Sequence, residues 1–357
     1  MSEQSEDPKV ASNQTWFSEV WGPLREAQQA RTSVVLGARE PADLLHHYTT
    51  LSGLQGIATS GALWASDARY LNDASELSYA VQLINSVVTE TVAERGGDVL
   101  RRMVDGHFGV ATAFKFGGQP FVSCFCEAED LLSQWRGYRA GTTGYSMGMN
   151  LKPLAHGQHL PPNTRLRQVV YEENVQRKEV QDVVNVWLQT AESLLGPEPQ
   201  VLSELFRLPA IMALEEALVE HYLCFKHPKF AEEREWRLIK LVRVQDELTL
   251  GLHRRWDEVM REEMAERGVE RFESFPIGIN AEGVELRFRE SAGGLVPYVE
   301  LPLFDTSGPR RSIFRQVLQG PSTHPELSLE SLRTYLTWCG YKIPPTEVKQ
   351  SRIPLRG

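Results

Sequence analysis

The sequence predicts an α+β fold: a split, mostly antiparallel sheet with helices packed around it and a helical insertion. One observation is that short apolar or alternating runs, typical of strands, recur along the chain between short helical patterns. A second is that residues 174–222 hold two long helical patterns with no strand pattern between them. No Pro- or Gly-rich linker divides the chain. We therefore predict one domain over residues 42–357, with the insertion at about 174–222, after a disordered start and a loose helical arm over residues 1–41.

The beginning of this domain predicts a strand, a short helix and a second strand, in that order. LLHHYT at residues 44–49 has the composition of a strand. Ser52 and Gln55 have the spacing of a capping box, which starts a helix, and Gly61 suits the end of that helix. ALWAS at residues 62–66 then predicts the second strand.

Further elements follow with the same two periodicities. Apolar residues at helical spacing between Leu77 and Val92 predict a long helix. VELRFRE at residues 284–290 alternates strictly, as a half-exposed strand does. The other predicted strands are 121–127, 143–150, 165–171, 235–242, 295–301, the segment SIFRQVL and a last extended segment, and the other predicted helices lie near 131–138, 254–267 and 328–339.

The composition limits the class of protein. Lys and Arg total 38 and Asp and Glu total 47, so the formal charge is −9. An acidic chain lacks the excess of cations that indiscriminate nucleic-acid binding needs. Four cysteines are too few for a disulfide scaffold, no apolar run approaches the ~20 residues of a membrane span, and the first residues lack a signal-peptide pattern. We therefore expect a cytoplasmic protein without a membrane partner.

The first group of residues that suggests chemistry is His47-Tyr48-Thr49, at the end of the first predicted strand. Alternation along a strand puts His47 and Thr49 on one face and His46 and Tyr48 on the other. Two histidines before a tight connection would place hydrogen-bonding groups over a cleft. The alternative is an ordinary strand end whose polar groups are satisfied within the fold.

The second group is Asn72-Asp73-x-x-Glu76, which precedes the long helix. With Asp73 as the N-cap and Glu76 at the third helical position, the spacing is that of a capping-box-like helix start. A structural role is therefore the favoured interpretation of these carboxylates when the spacing is taken alone.

The third group is Glu233-x-Glu235-Trp236-Arg237, which opens a predicted strand. Residues two apart on a strand share a face, so Glu233, Glu235 and Arg237 are expected to line one surface. Carboxylates so placed raise each other's pKa or stabilise a developing cation. The alternative is a solvated edge on which Arg237 neutralises Glu235.

The fourth group surrounds the short helix near residue 135. Trp135, Arg136, Tyr138 and Arg139, followed by Tyr145, combine aromatic rings with guanidinium groups, which suits the base and the phosphates of a nucleotide. The alternative is a Trp135 side chain that faces the core, with arginines on the surface.

Residues of the types that bind zinc are present but poorly spaced. Cys124-x-Cys126 and His221-x-x-Cys224-x-x-His227 supply thiol and imidazole groups, yet the second set matches no standard zinc-finger spacing. The chain also has no G-x-S-x-G nucleophile elbow. We therefore predict no metal site and no serine hydrolase.

Taken together, several blocks of the sequence resemble a bacterial family known as domain of unknown function 2971. They are LLHHYTTLSGLQGIATSGALWAS, YLNDASE, SCFCEAEDLLSQWRGY with GYSMGMN, FKHPKFAEEREWRL, VLQGP and SRIPLR. The ordered set covers most of residues 44–355, whereas the N-terminal arm and much of 174–220 lie outside it. This family implies no activity.

The opening strand, helix and strand also resemble, more distantly, those of ADP-ribosyltransferases. In these enzymes a His-x-Ser/Thr element starts the pocket for the dinucleotide NAD, and a later strand carries a glutamate that reads Glu-x-Glu in arginine-modifying members. The resemblance implies that Glu235 is the catalytic glutamate, that Glu233 is its acceptor-side partner and that His47 binds the ribose. The residues expected to bind NAD are His47, Tyr48, Thr49, Ser66, Asn72, Trp135, Arg136 and Tyr145.

The leading hypothesis is therefore an ADP-ribosyltransferase-like enzyme that cleaves the nicotinamide–ribose bond of NAD. It would transfer ADP-ribose to a nucleic acid, a protein or water, as a toxin-like effector in bacterial defence would. The first alternative is a non-catalytic nucleotide-binding sensor whose insertion at 174–222 carries a regulatory partner surface. The second is a metal-dependent nuclease with Asp73, Glu76, Glu233 and Glu235 as ligands.

Overall fold

A branched sheet forms the centre of the protein. The computed structural model describes residues 19–28, 30, 40–71, 74–104, 119–138, 143–155, 163–195, 204–242, 284–291, 294–302 and 314–354. Over these residues the sheet has ten strands: β1 (Leu45–Thr49), β2 (Ala62–Asp67), β3 (Gln119–Cys126), β4 (Tyr145–Met149), β5 (Thr164–Gln168), β6 (Glu235–Val242), β7 (Arg287–Ser291), β8 (Gly294–Pro302), β9 (Phe314–Gln319) and β10 (Val348–Gln350).

Helices cover both faces of this sheet. They are α1 (19–28), α2 (Leu51–Ser60), α3 (Ala74–Arg95), α4 (Asp98–Val104), α5 (Leu132–Tyr138), α6 (Lys152–Ala155), α7 (Glu173–Leu195), α8 (Glu204–Cys224) and α9 (Pro325–Trp338), with short 3-10 helices at Ala68–Tyr70, Pro228–Glu233 and Pro345–Glu347. No helix in the described ranges combines the length and the apolar character that crossing a bilayer requires.

The pairing of the strands is antiparallel except between β9 and β10. The strand order is β10-β9-β4-β1-β3-β2-β8-β7, and β6 pairs with both β3 and β5. This arrangement confirms the predicted α+β class and the mostly antiparallel sheet.

Strand β3 is the point at which the sheet divides. β6 pairs with β3 along its whole length, from Gln119 to Cys126, so β1 and β2 must share the other edge of β3. β1 reaches that edge at Cys126, whereas β2 reaches it at Phe121 and Val122. Residues 123–125 therefore lie beside a gap between β1 and β2, which we call the split.

Two hydrophobic cores lie on the two faces of the sheet. On one face, Val122 and Ile239 pack against α1, α3, α7 and α8, which we call the helical layer. On the other face, Phe125 and Trp236 pack against α2 and α9. Because β3 and β6 are buried on both faces, their sequences are apolar at successive positions rather than strictly alternating.

Most of the predicted elements are present, with shifted ends. Helix α2 begins one residue after Thr50, whose hydroxyl accepts a hydrogen bond from the Gly53 amide at 3.3 Å. The predicted cap at Ser52 is therefore wrong, because that residue already lies in the first turn. Gly61 ends the helix with a φ of 72°, as predicted. Helix α9 begins at Pro325, since proline has a favourable φ at the first helical position. The predicted helix at 254–267 lies outside the described residues.

Candidate functional site

Five charged side chains meet between β6 and the helical layer, and we call them the ion cluster. Glu235 and Arg237 lie two residues apart on β6 and share its face. Glu76 comes from the first turn of α3, and Lys226 follows the end of α8. Glu233 ends the 3-10 helix that precedes β6. The chain therefore brings these charges together from three separate segments.

The two cations of the ion cluster bind its three carboxylates. Lys226 Nζ donates hydrogen bonds to Glu233 Oε2 at 2.6 Å and to Glu235 Oε2 at 3.0 Å, and it lies 2.7 Å from Glu76 Oε1. Arg237 Nε donates to Glu235 Oε1 at 2.7 Å, and its Nη2 donates to Glu76 Oε2 at 2.6 Å. Each cation thus joins α3 to β6.

The geometry of Glu233 differs from the predicted one. Strand β6 begins at Glu235, and Arg234 has a left-handed backbone with a φ of 40°. Glu233 therefore does not continue the strand face, yet its carboxylate still reaches Lys226. The alternative interpretation is wrong about a solvated edge, because Glu235 and Arg237 are buried, but its ion pair between Arg237 and Glu235 is confirmed.

The surroundings of Glu233 and Glu235 move the pKa values of these two carboxyl groups in opposite directions. Burial by itself would raise the pKa of Glu235, but Arg237 and then Lys226 outweigh it and hold that pKa at about 2. Burial raises the pKa of Glu233 above its ordinary value, against the opposing effect of Lys226. Such divergence between neighbouring carboxylates is a common basis for separate chemical roles.

Cys124 connects the ion cluster to the first strand. It pairs in register with Arg237 of β6, which binds Glu235, and its carbonyl oxygen lies 2.9 Å from His47 Nδ1. Cys124 sits at the split, between the positions at which β1 and β2 join β3. His47 and Glu235, which are far apart in the sequence, are therefore linked to the same residue, His47 directly and Glu235 through Arg237.

Tyr138 and Arg289 lie close to this junction. Burial raises the pKa of the Tyr138 phenol, and the charges of Cys124 and Glu235 add to that effect, whereas Arg289 opposes it. Arg289 donates from Nε and Nη2 to the Ser66 hydroxyl, at 3.2 and 3.0 Å. Ser66, which we predicted to bind a cofactor, thus positions a cation beside the split.

Tyr48 and Trp135 pack together in a small core rather than lining a pocket with Glu235. The Tyr48 hydroxyl donates to the Ala128 carbonyl at 2.9 Å and accepts from the Leu131 amide at 3.0 Å. Its ring meets Trp135 edge to face, with centroids 4.8 Å apart. The Trp135 indole donates to Asp130 Oδ1 at 2.6 Å. The alternative interpretation of Trp135, a side chain that faces the core, describes this arrangement.

The other residues expected to bind NAD are dispersed. Thr49 and Tyr145 pair in register across β1 and β4, and Tyr145 is buried in the core on the α2 side, away from the ion cluster. Thr49 Oγ1 packs so closely on α2 that a Cβ on Gly53 would lie 2.0 Å from it. Arg136 is exposed. Asn72 lies outside the described residues.

The residues with metal-binding side chains have other partners. His221 Nε2 lies 3.9 Å from Glu179 Oε2, and His227 Nδ1 accepts a hydrogen bond from the Lys229 amide at 3.2 Å. Across the described parts of the chain, no group of three or more His, Cys, Asp or Glu side chains is placed to hold a metal ion. Asp73, a ligand in the nuclease hypothesis, lies outside those parts.

Sequence reasoning missed Lys226, the connecting role of Cys124, and Arg289. Lys226 is one cation within the largely apolar segment LCFK. This apolar setting is the only local signal that the lysine is buried and paired with a carboxylate. Arg289 alternates with apolar residues in VELRFRE. This alternation indicates on which face of the strand Arg289 lies, but not which residues of other segments it contacts. Their partners lie on distant segments, so no spacing in the sequence indicates them.

The comparisons with known proteins agree with one part of the predicted relationship. No curated protein and no solved structure matches the chain. A family described as "Protein of unknown function (DUF2971)" matches residues 134–238, from α5 to the middle of β6. The match includes Glu233, Glu235 and Arg237, and it runs through α7 and α8, which the sequence blocks had left outside. This part of the chain is therefore similar to the DUF2971 family.

Proposed function

We propose that the protein is an ADP-ribosyltransferase-like enzyme that cleaves the nicotinamide–ribose bond of NAD at the split. The observation that carries the proposal is the position of Cys124 at the split, where its carbonyl oxygen meets His47 and its strand partner Arg237 binds Glu235. This link between a neutral imidazole and a fixed carboxylate supports the proposal, although the two side chains leave the sheet on opposite faces: His47 contacts Phe125 of the α2-side core, and Glu235 faces the helical layer.

His47 is suited to accept a hydrogen bond from a ribose hydroxyl. A carbonyl oxygen cannot donate, so the contact with Cys124 requires the proton of a neutral His47 ring to sit on Nδ1. Burial lowers the pKa of His47, which favours this neutral form. Nε2 then carries a lone pair that can accept a hydrogen bond.

Glu235 supplies a permanent negative charge. Its pKa of about 2 keeps it ionised at neutral pH, and Arg237 and Lys226 hold its orientation. When the C1′–N bond breaks, nicotinamide leaves with the electron pair and the ribose becomes an oxocarbenium-like cation. A preorganised carboxylate stabilises that charge, and the loss of one such interaction in enzymes typically costs about 10²–10³ in kcat.

Glu233 is suited to take the proton of the incoming acceptor. Its raised pKa makes it a better base than Glu235, and it is half-buried rather than enclosed. A hydroxyl or amine of the acceptor, or water, would attack C1′ and lose its proton to Glu233. Bond formation, bond cleavage and proton transfer then balance without a metal ion.

A second candidate function is a sensor that binds a nucleotide without consuming it. The observation in its favour is that Glu235 is only 5 % exposed and that both of its carboxylate oxygens accept hydrogen bonds from Arg237. A carboxylate so enclosed is also suited to a purely structural role.

The test is release of nicotinamide from NAD by the purified protein, with cellular RNA, DNA and protein supplied as acceptors. Glu235→Gln should reduce release by about 10²-fold or more. Glu220→Gln is the matched control, because Glu220 of α8 is also buried and is bound by Arg165 and Arg167 of β5, on the edge of β6 that faces away from the split. Circular dichroism should show that both variants are folded.

Two results would overturn the proposal. Undiminished release in a folded Glu235→Gln variant would remove Glu235 from the reaction. Tight binding of NAD by the wild-type protein without any release, in the presence of every acceptor, would favour the sensor.

A further inference from the structure

Arg289 differs from Lys226 and Arg237 because no carboxylate in the described parts of the chain pairs with it. Its guanidinium is half-buried and donates to the neutral hydroxyl of Ser66. Among the residues that the structure describes, no Asp or Glu forms an ion pair with it. Burial accordingly lowers the pKa of Arg289. A cation withdrawn from water without a counter-charge is a costly arrangement that an anionic ligand relieves.

Arg287 provides the comparison within the same strand. It lies two residues earlier on the same face of β7, but it is exposed and pairs with Glu285 at 3.1 Å and Glu300 at 3.2 Å. These carboxylates raise its pKa. The uncompensated charge is therefore a property of the position of Arg289 and not of this strand as a whole.

Arg289 is oriented toward the split. Its hydrogen bonds go to Ser66 of β2, and Ser66 pairs with Val122 of β3, the residue next to the split. Two residues before Ser66, on the same face of β2, the buried Trp64 indole N–H has no hydrogen-bond partner among the described groups.

We propose that Arg289, held by Ser66, is the binding site for the diphosphate of a nucleotide at the split. The guanidinium fork matches the spacing of phosphate oxygens, and two of its nitrogens are already oriented by the serine hydroxyl. The proposal deepens the proposed function by assigning the place of the NAD diphosphate, and it rests on that function for the identity of the ligand.

The experiment measures binding of ADP, with adenosine as the ligand that lacks phosphates. Arg289→Gln should weaken ADP binding by about 10- to 100-fold, the usual effect of losing a charge-assisted contact, and leave adenosine binding unchanged. Arg287→Gln is the matched control and should bind ADP as the wild type does. Ser66→Ala should weaken ADP binding by a smaller factor, which gives a second readout if the Arg289 variant does not fold.

The outcomes separate this inference from the proposed function. Equal ADP affinity in the wild type and in folded Arg289→Gln, or no binding of ADP or NAD by the wild type, would overturn the inference. ADP binding that depends on Arg289, without nicotinamide release from NAD, would support the diphosphate site and count against the transferase. Release of nicotinamide from NAD by Arg289→Gln, with the same KM as the wild type, would support the transferase and count against the diphosphate site.

Discussion

Arg237 is the residue on which the ion cluster depends most. It binds Glu235 through two nitrogens, Glu76 through Nη2 and the Leu223 carbonyl through Nη1 at 2.6 Å. Arginine suits this position because its planar fork offers several donors in fixed directions and keeps its charge when buried. One side chain thus holds the start of α3, the end of α8 and β6 together.

We expect Arg237→Met to lower the free energy of unfolding by about 3–5 kcal/mol, because it leaves buried carboxylates with one cation fewer. Urea unfolding followed by circular dichroism measures the change. Arg287→Met is the control, since it removes a cation from an exposed ion pair and should change the free energy of unfolding far less. A loss as small as the control's in Arg237→Met would show that the cluster contributes no net stability.

At the scale of an element, α2 is the helix that joins the two strands flanking the split. It links β1 to β2 and packs Leu54 and Ile57 into the core on its side of the sheet. Gly56 allows the Trp64 ring of β2 to lie directly on the helix, since a Cβ at this position would be 2.0 Å from Trp64 Cζ2. The placement of β2 relative to β1 therefore depends on the close contact between Gly56 of α2 and the Trp64 ring.

We expect Gly56→Ala to destabilise the protein by about 1–3 kcal/mol, because the new methyl group overlaps a ring in a packed contact. Gly137→Ala in α5 is the control, since a Cβ there meets nothing within 4 Å. That variant should be neutral or stabilising by up to about 1 kcal/mol, because alanine favours helix. Thermal unfolding of both variants measures the difference, and equal melting temperatures would contradict the predicted overlap.

At the scale of the whole molecule, the sheet and the helical layer carry buried groups that titrate in opposite senses. Burial lowers the pKa of His46 in β1 to about 4. Burial, with Asp182, raises the pKa of Glu179 in α7 to about 7. The folded state therefore disfavours a proton on His46 and favours one on Glu179, so their contributions to stability change with pH in opposite directions.

The wild-type protein should lose stability as the pH rises from 4.5 to 7 because of Glu179, and we expect Glu179→Gln to abolish this loss. The pKa of Glu179 is higher in the folded state, so its stabilising contribution is complete below the ordinary value of 4.5 and is lost as the pH rises through about 7. Relative to the wild type, the variant should gain up to about 3 kcal/mol between pH 4.5 and 8, since each pKa unit is worth about 1.4 kcal/mol.

Urea unfolding of both proteins at a series of pH values measures this gain. His46 supplies the opposite slope in both proteins, because its contribution is present above pH 6.5 and is lost as the pH falls toward 4. It therefore cancels in the comparison. A difference between the two proteins that is constant across the range would show that Glu179 has an ordinary pKa in the folded state.

The elements of the fold were predictable because their signals are local. Period-2 and period-3.6 patterns depend on neighbouring residues, so β1, α2, β2 and the long helices α3, α7 and α8 follow from short windows of sequence. Element ends were less predictable, as the cap at Thr50 illustrates, because several nearby polar residues compete for that role.

The sequence by itself determined the α+β class, the order of strands and helices, and the candidate carboxylates at 233 and 235, since these depend on residue type and short spacing. The tertiary structure decided the split, because the division of one edge of β3 between β1 and β2 arises from pairing of segments far apart in the chain. It also decided the surroundings of Glu235. Lys226 reaches that carboxylate from the helical layer, and Arg289 reaches the split by way of Ser66. A contact between distant segments has no local periodicity, so only the packed fold determines which charges pair with one another.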